Sequence, residues 1–240
     1  MNLSGKRILI TRPAEQAQAL AEALIAQGAI PLLLPTIAIE ALQDPIWEEA
    51  LQRLHEFRWL LFTSANGVHH ALGGRVLPPP PPIGVVGPAT ARALRTYGWQ
   101  ATLVASQAHA MGLLEALGPV AGLSVLLVQG TEARPELADG LRAGGALLQV
   151  AHVYQTRPKP PSPEQIASLG RVDLALFASP SALKAFLQAP EAHRLLQSTR
   201  LICLGPTTAR AAREAGLPVV FVPDQPDPLQ ALLEAPEEVR

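Results

Sequence analysis

Five short stretches of this chain put small hydroxyl, amide and glycine residues where an anion could be held. They are Thr11-Arg12-Pro13, Thr63-Ser64-Ala65-Asn66-Gly67, Gly87-Pro88-Ala89-Thr90, Ser179-Pro180-Ser181 and Gly205-Pro206-Thr207-Thr208. Each follows an apolar run that reads as a strand and opens a helical pattern. A helix start offers main-chain N–H groups without partners and about half a positive charge. Small residues let an anion approach that backbone, and hydroxyls add donors. Each stretch alone is equally an ordinary N-cap; five of them, related by a repeat, point to a polyanionic ligand. Tyr154 is the other candidate, in the alternating run Val153-Tyr154-Gln155-Thr156. Its phenol could give a proton or hydrogen bond to a departing group, or it is a half-buried strand tyrosine.

Several chemistries are excluded by pattern. There is no G-x-x-x-x-G-K-[ST] loop, so a P-loop ATPase is out, and no G-x-G-x-x-G follows the first strand. The six histidines, His55, His69, His70, His109, His152 and His193, show no metal-ligand spacing. The adjacent pair His69-His70 reads as surface. No G-x-S-x-G elbow exists, and Cys203 lies in the apolar run Leu201-Ile202-Cys203-Leu204, where a buried, inert thiol is expected. The expectation is no metal and no cofactor, with chemistry resting on orientation, mild acid assistance and a shielded cleft.

The elements that must position these residues recur. Ile8 to Thr11 reads as a strand, Pro13 opens a helix with Leu20, Leu24 and Ile25 on one face, and Gly28 ends it. Ile30 to Leu34 is the next strand, giving strand–helix–strand with short connections, the mark of a parallel sheet. The unit returns at Val125–Val128, a helix with Leu137 and Leu141, Gly144-Gly145, and Ala146–Val150. At an offset of 117, Leu20 falls on Leu137 and Gly28 on Gly145; at 118, the Gly87 stretch through Arg92 falls on the Gly205 stretch through Arg210. The chain is therefore a tandem duplication of a five-strand α/β unit. Thr36–Glu40 and Ala151–Thr156 alternate and read as linker strands.

At 240 residues the chain suits one large domain or two of about 120. Charged residues are 16% and the formal net charge is −1, so no global field steers nucleic acid or an acidic membrane. A single cysteine excludes an internal disulfide framework. No apolar run reaches transmembrane length and the first residues lack a signal-peptide core, so the expectation is a cytoplasmic, soluble protein.

Thr63-Ser64-Ala65-Asn66-Gly67-Val68 resembles the T-S-x-N-G-V motif of uroporphyrinogen-III synthases. Ile10-Thr11-Arg12-Pro13, Val153-Tyr154-Gln155-Thr156, Ser179-Pro180-Ser181 and Gly205-Pro206-Thr207-Thr208-Ala209 resemble the rest of that family's sparse pattern, in order along the whole chain. The resemblance implies an α/β fold of two flavodoxin-like, doubly wound parallel-sheet lobes joined by a two-stranded antiparallel ladder, with the active site in a cleft between them. It implies a crossover: 1–35 with 158–240 in one lobe, 41–150 in the other, and 36–40 with 151–157 as the ladder. The residues alone fit an uncrossed arrangement, 1–117 beside 118–240, equally well.

The implied reaction closes hydroxymethylbilane, a linear tetrapyrrole with eight carboxylates, to uroporphyrinogen III with inversion of the last ring and loss of water. No cofactor or metal is implied, and a monomer is the expectation. By the resemblance Tyr154 would assist departure of the hydroxyl. Thr63, Ser64, Asn66, Gly67, Gly87, Thr90, Ser179, Ser181, Gly205, Thr207 and Thr208 would hold carboxylates, partly through main-chain N–H, and Arg12 would add a fixed charge. Two departures stand out: Ala178 where the family often has Thr, and Gln129-Gly130 where the first copy has Arg-Pro. An alternative reading is a two-lobed binding protein that clamps a small anion without transforming it. A two-lobed glycosyl- or phosphotransferase lacks the nucleotide motif and acidic metal site it would need.

Overall fold

The structure is a computed structural model that describes residues 1–107 and 109–237, the side chain of Glu15 excepted. Ala108 and residues 238–240, which fall in the expected spans 41–150 and 158–240, lie outside the described residues. In chain order the elements are β1 (Arg7–Ile10), α1 (Ala14–Ala26), β2 (Ile30–Leu33), β3 (Ile37–Ala41), α2 (Pro45–Gln52), β4 (Trp59–Phe62), α3 (Ala65–Leu72) and β5 (Ile83–Val85). They continue as α4 (Pro88–Arg95), β6 (Leu103–Val104), α5 (Ala110–Leu117), β7 (Ser124–Gly130), α6 (Glu136–Ala143), β8 (Leu147–Pro158) and α7 (Pro163–Leu169). The last are β9 (Leu174–Phe177), α8 (Pro180–Phe186), α9 (Ala192–Gln197), β10 (Arg200–Cys203), α10 (Pro206–Glu214), β11 (Val219–Phe221) and α11 (Pro228–Glu234).

The chain divides into two compact units, Met1–Ala38 with Arg157–Arg240, and Ile39–Thr156. The first unit holds a parallel sheet in the order β11-β10-β9-β1-β2. Renumbered within the unit this is 2-1-3-4-5, the flavodoxin-like order. Its central strands are apolar beyond their first residues, Arg7 in β1 and Arg200 in β10, because both faces of the sheet are covered there. The two-residue period sends Leu9, Ala175, Phe177, Leu201 and Cys203 to one face, under α7 to α10. Ile8, Ile10, Leu174, Leu176 and Ile202 go to the other, under α1 and α11.

The second unit has the order β3-β8-β7-β4-β5-β6, parallel from β8 to β6. Counting β7 as the first strand again gives 2-1-3-4-5, so β7 and β8 correspond to β1 and β2. Leu60, Phe62, Ile83, Val85, Leu126 and Val128 pack under α2, α3 and α4. Leu61, Val125 and Leu127 pack under α5 and α6. β3 lies on the β8 edge; the Leu42 N–H donates to the Val153 carbonyl and the Lys159 N–H to the Thr36 carbonyl, a descending register that makes this pair antiparallel.

The repeat is visible in backbone angles. Gly28 and Gly145 follow corresponding helices with φ +74° and +80°. That left-handed region is strained for any residue with a Cβ, which is why glycine holds both positions. Two local expectations are corrected. The strand expected to stop at Val150 and the linker strand after it are one twelve-residue strand, β8, because no glycine or proline interrupts them. Ile25 is not on the buried face of α1 but 60% exposed; five residues from Leu20, it has turned about 140° away.

Candidate active site

In the second unit the strand order reverses between β7 and β4, and crevices form at the carboxyl ends of strands where this happens. A cavity of about 350 Å³ opens there, walled by Thr63, Ser64, His109, Gln129, Glu132, Arg134 and Tyr154 among others. Ser64 sits where the apolar strand β4 gives way to α3. Its extended backbone and its Oγ, which accepts the Gly67 N–H at 3.0 Å, make it the N-cap.

Tyr154 reaches this point by a register shift. His152 pairs with Gln129 and Tyr154 with Gly130, so Val153 is an extra residue on β8. Such bulges re-aim side chains near functional sites. The phenol Oη comes to 3.0 Å from Ser64 Oγ. His70 stacks on the ring with centroids 5.7 Å apart and planes 27° off parallel. Gly130 lies so close that a Cβ there would stand 2.6 Å from the tyrosine Cζ and 3.0 Å from Oη. Glycine is thus needed here for space rather than for backbone freedom. The half-buried placement of His70 corrects the expectation that both adjacent histidines are surface groups; His69 is exposed.

The remaining expected residues of this unit divide by exposure. Thr63 and Asn66 are half-buried, and Gly67 and Gly87 are buried. Gly87 is the N-cap residue of α4 in extended backbone. Thr90 is only 3% exposed and its counterpart Thr208 in the first unit only 2%. A hydroxyl one turn into a helix that packs on a sheet points at the core, so neither side chain presents itself to a ligand.

In the first unit, the corresponding strand ends carry Arg12 after β1, Ser179 and Ser181 after β9, and Gly205 and Thr207 after β10. Ser179 caps α8 by accepting the Ala182 N–H at 3.2 Å, and its Oγ lies 3.0 Å from Ser181 Oγ. Gly205 caps α10 as Gly87 caps α4. Arg12 is half-buried; Nη2 donates to Gln16 Oε1 at 3.3 Å, while Nε is buried with no hydrogen-bond partner among the described residues. Burial lowers its pKa and Asp227 opposes that, but an arginine stays charged throughout. A buried N–H without a partner is costly, and an arriving carboxylate would satisfy it.

Cys203 is fully buried and burial pushes its thiol up to about 11, against a small opposing effect of Arg213, so it is no nucleophile. No three His, Cys, Asp or Glu side chains among the described residues cluster as metal ligands. No helix among them is long and apolar enough to cross a membrane.

Sequence reasoning missed four wall residues, His109, Gln129, Glu132 and Arg134, because none belongs to a strand-end hydroxyl run. One signal was available. Pro13 is the N-cap of α1 and Pro135 the N-cap of α6. The Arg-Pro pair of the first copy therefore does recur, as Arg134-Pro135, and its expected loss is corrected. Gln129 marks where the repeat spacing put it. It stands five residues further on because α6 has 8 residues where α1 has 13.

Fold and site together define a duplicated, doubly wound α/β protein that offers hydroxyl and main-chain donors at the carboxyl ends of parallel strands. A family model described as uroporphyrinogen-III synthase HemD matches residues 18–233. The chain belongs to the uroporphyrinogen-III synthase family, the lyases that cyclise hydroxymethylbilane. It is 29% identical to the uroporphyrinogen-III synthase of Synechococcus elongatus over 98% of this chain and 96% of that one. It is 26% identical to that of Chlorobaculum parvum over 96% and 99%. A solved variant of the Thermus thermophilus uroporphyrinogen III synthase shares its fold, with TM-score 0.64 and 22% identity over 95% of this chain and 96% of that one. These likenesses favour the enzyme and give no support to a binding protein without chemistry.

Proposed function

We propose that this chain closes hydroxymethylbilane to uroporphyrinogen III with Tyr154 as the acid that assists the departing hydroxyl, acting as a cytoplasmic monomer without a cofactor. The observation that carries the reading is the Ser64–Tyr154 pair at 3.0 Å on the wall of the cavity. Ser64 Oγ already accepts the Gly67 N–H. Its own O–H is free to donate to the phenol oxygen, which leaves the phenol proton for substrate.

In that arrangement the phenol hydrogen-bonds the terminal hydroxyl as its C–O bond breaks. Water leaves, and the pyrrole nitrogen's electron pair forms the azafulvene. The azafulvene carbon is attacked by the substituted carbon of the last pyrrole, giving a spiro intermediate. Fragmentation and reclosure at the other side invert that ring, and loss of the ring proton restores aromaticity and the acid. The substrate's own electron-rich rings supply the nucleophile, so the protein need only orient, protonate and exclude water. Thr63, Asn66, Gly67 and Gly87 on one unit, and Arg12, Ser179, Ser181, Gly205 and Thr207 on the other, are proposed to hold carboxylates. Thr90 and Thr208 enter that set through main-chain N–H only. The test is to supply purified protein with hydroxymethylbilane and separate the product isomers. Type III product is expected; type I alone, the spontaneous isomer, overturns the reading.

A further inference from the structure

Resting on the synthase reading, we infer that Arg134 is a carboxylate-binding residue of the second unit, the counterpart of Arg12 in the first. Among the described residues Arg134 is the sole lysine or arginine on the wall that also holds Thr63, Ser64 and Tyr154. It is exposed, and it has no hydrogen-bond or ion-pair partner among the described residues. Arg75 is paired with Glu48 at 2.6 Å and Arg142 with Asp139 at 3.2 Å, and Arg58, Arg92 and Arg95, which like Arg134 carry no ion pair among the described residues, do not line this cavity.

Among the described residues the one other basic side chain on the wall is His109, and it is spent on structure. His109 Nδ1 accepts the Gly112 N–H at 3.0 Å, capping α5, and Nε2 bonds Gln107 Oε1 at 2.8 Å. An imidazole that accepts at Nδ1 carries its proton on Nε2 and is neutral, so it brings no charge to the cavity. Glu132 also faces the cavity and opposes a carboxylate guest. The wall without Arg134 is therefore net negative, and with Arg134 it can take an acidic side chain.

Position supports the assignment independently. Arg134 directly precedes the proline that starts α6, as Arg12 precedes the one that starts α1. Those helices follow β7 and β1, the corresponding strands of the two sheets. A guanidinium grips a carboxylate by two parallel N–H bonds, which a lysine cannot reproduce. The ligand is an acetate- or propionate-type side chain of the tetrapyrrole.

The test uses the full chain and the variants Arg134→Gln, Arg134→Lys and Glu132→Gln, with hydroxymethylbilane as substrate and equilibrium binding of uroporphyrin III as a second readout. For Arg134→Gln, KM should rise about tenfold with kcat within twofold, since a contact made equally in ground and transition states acts on KM alone. Uroporphyrin III binding should weaken by a similar factor. Arg134→Lys should recover part of both, and Glu132→Gln should lower KM. Wild-type KM and uroporphyrin III affinity in Arg134→Gln would overturn the inference, as would a loss confined to kcat. A wild-type chain that makes only the type I isomer would instead overturn the synthase reading, and the inference with it.

Discussion

The phenol of Tyr154 is fixed at several points: its oxygen by Ser64, its ring by His70, and its flank by the bare backbone of Gly130. A partial acid gains from such fixation because the proton must lie on the line of the breaking bond. Tyr154→Phe keeps the stack and loses the oxygen. It should lower kcat about 10- to 100-fold with little change in KM; wild-type turnover would remove the phenol from the mechanism. Gly130→Ala places a methyl inside contact distance of the ring and moves the oxygen off Ser64. It should reduce kcat in the same direction while the urea midpoint falls by less than for a core deletion. Full activity in that variant would show that the ring has room the geometry denies it. Of these residues the sequence exposed Tyr154 and Ser64, through strand alternation and the cap pattern. His70 and Gly130 were not legible as partners, because His70 meets Tyr154 across 84 residues of chain and a bulge decides which way the tyrosine points.

Elements in this protein are tied at their starts as well as at their working ends. Asp173, just before β9, accepts the Arg7 N–H at 2.9 Å and the Arg171 Nε–H at 2.8 Å. Its main chain links to Arg7 and Arg200, joining the entries of β1, β9 and β10. Burial pushes the carboxyl up, but the Arg7 amide, Arg171 and Lys6 outweigh it, and the group lies below its ordinary value of 3.8. A carboxyl whose folded pKa is depressed stabilises the fold fully above the unfolded value and loses that contribution as pH falls through the folded one. Asp173→Asn should therefore cost about 1–2 kcal/mol at neutral pH. The gap between wild type and variant in urea unfolding should close on acidification below about pH 4. A gap that stays constant from pH 7 to pH 3 would mean that the charge contributes nothing and packing alone is at stake.

At the scale of the molecule, the chain leaves its first sheet after β2, completes a second, and returns to add β9, β10 and β11 to the first. Cys203 lies in the middle of that assembled sheet, and its raised pKa and full burial make it a reporter of the sheet's opening. Its reaction with a thiol reagent at pH 8 should be slow and should follow the unfolding equilibrium as urea is added. Fast labelling of the native protein would show that this core opens locally. The sequence by itself determined the element types, the duplication and the strand-end hydroxyls. Two-residue alternation, helix-ending glycines and Ser or Gly-Pro caps are local signals, written within a few residues of where they act. Only the tertiary structure decided that β1 pairs with β9 and β7 with β4, that Tyr154 meets Ser64, and that Arg134 rather than Gln129 occupies the second Arg-Pro position. Pairing strands more than 160 residues apart costs little more chain entropy than pairing near ones. Crossed and uncrossed arrangements therefore look alike in any local reading, and packing of specific faces chooses between them.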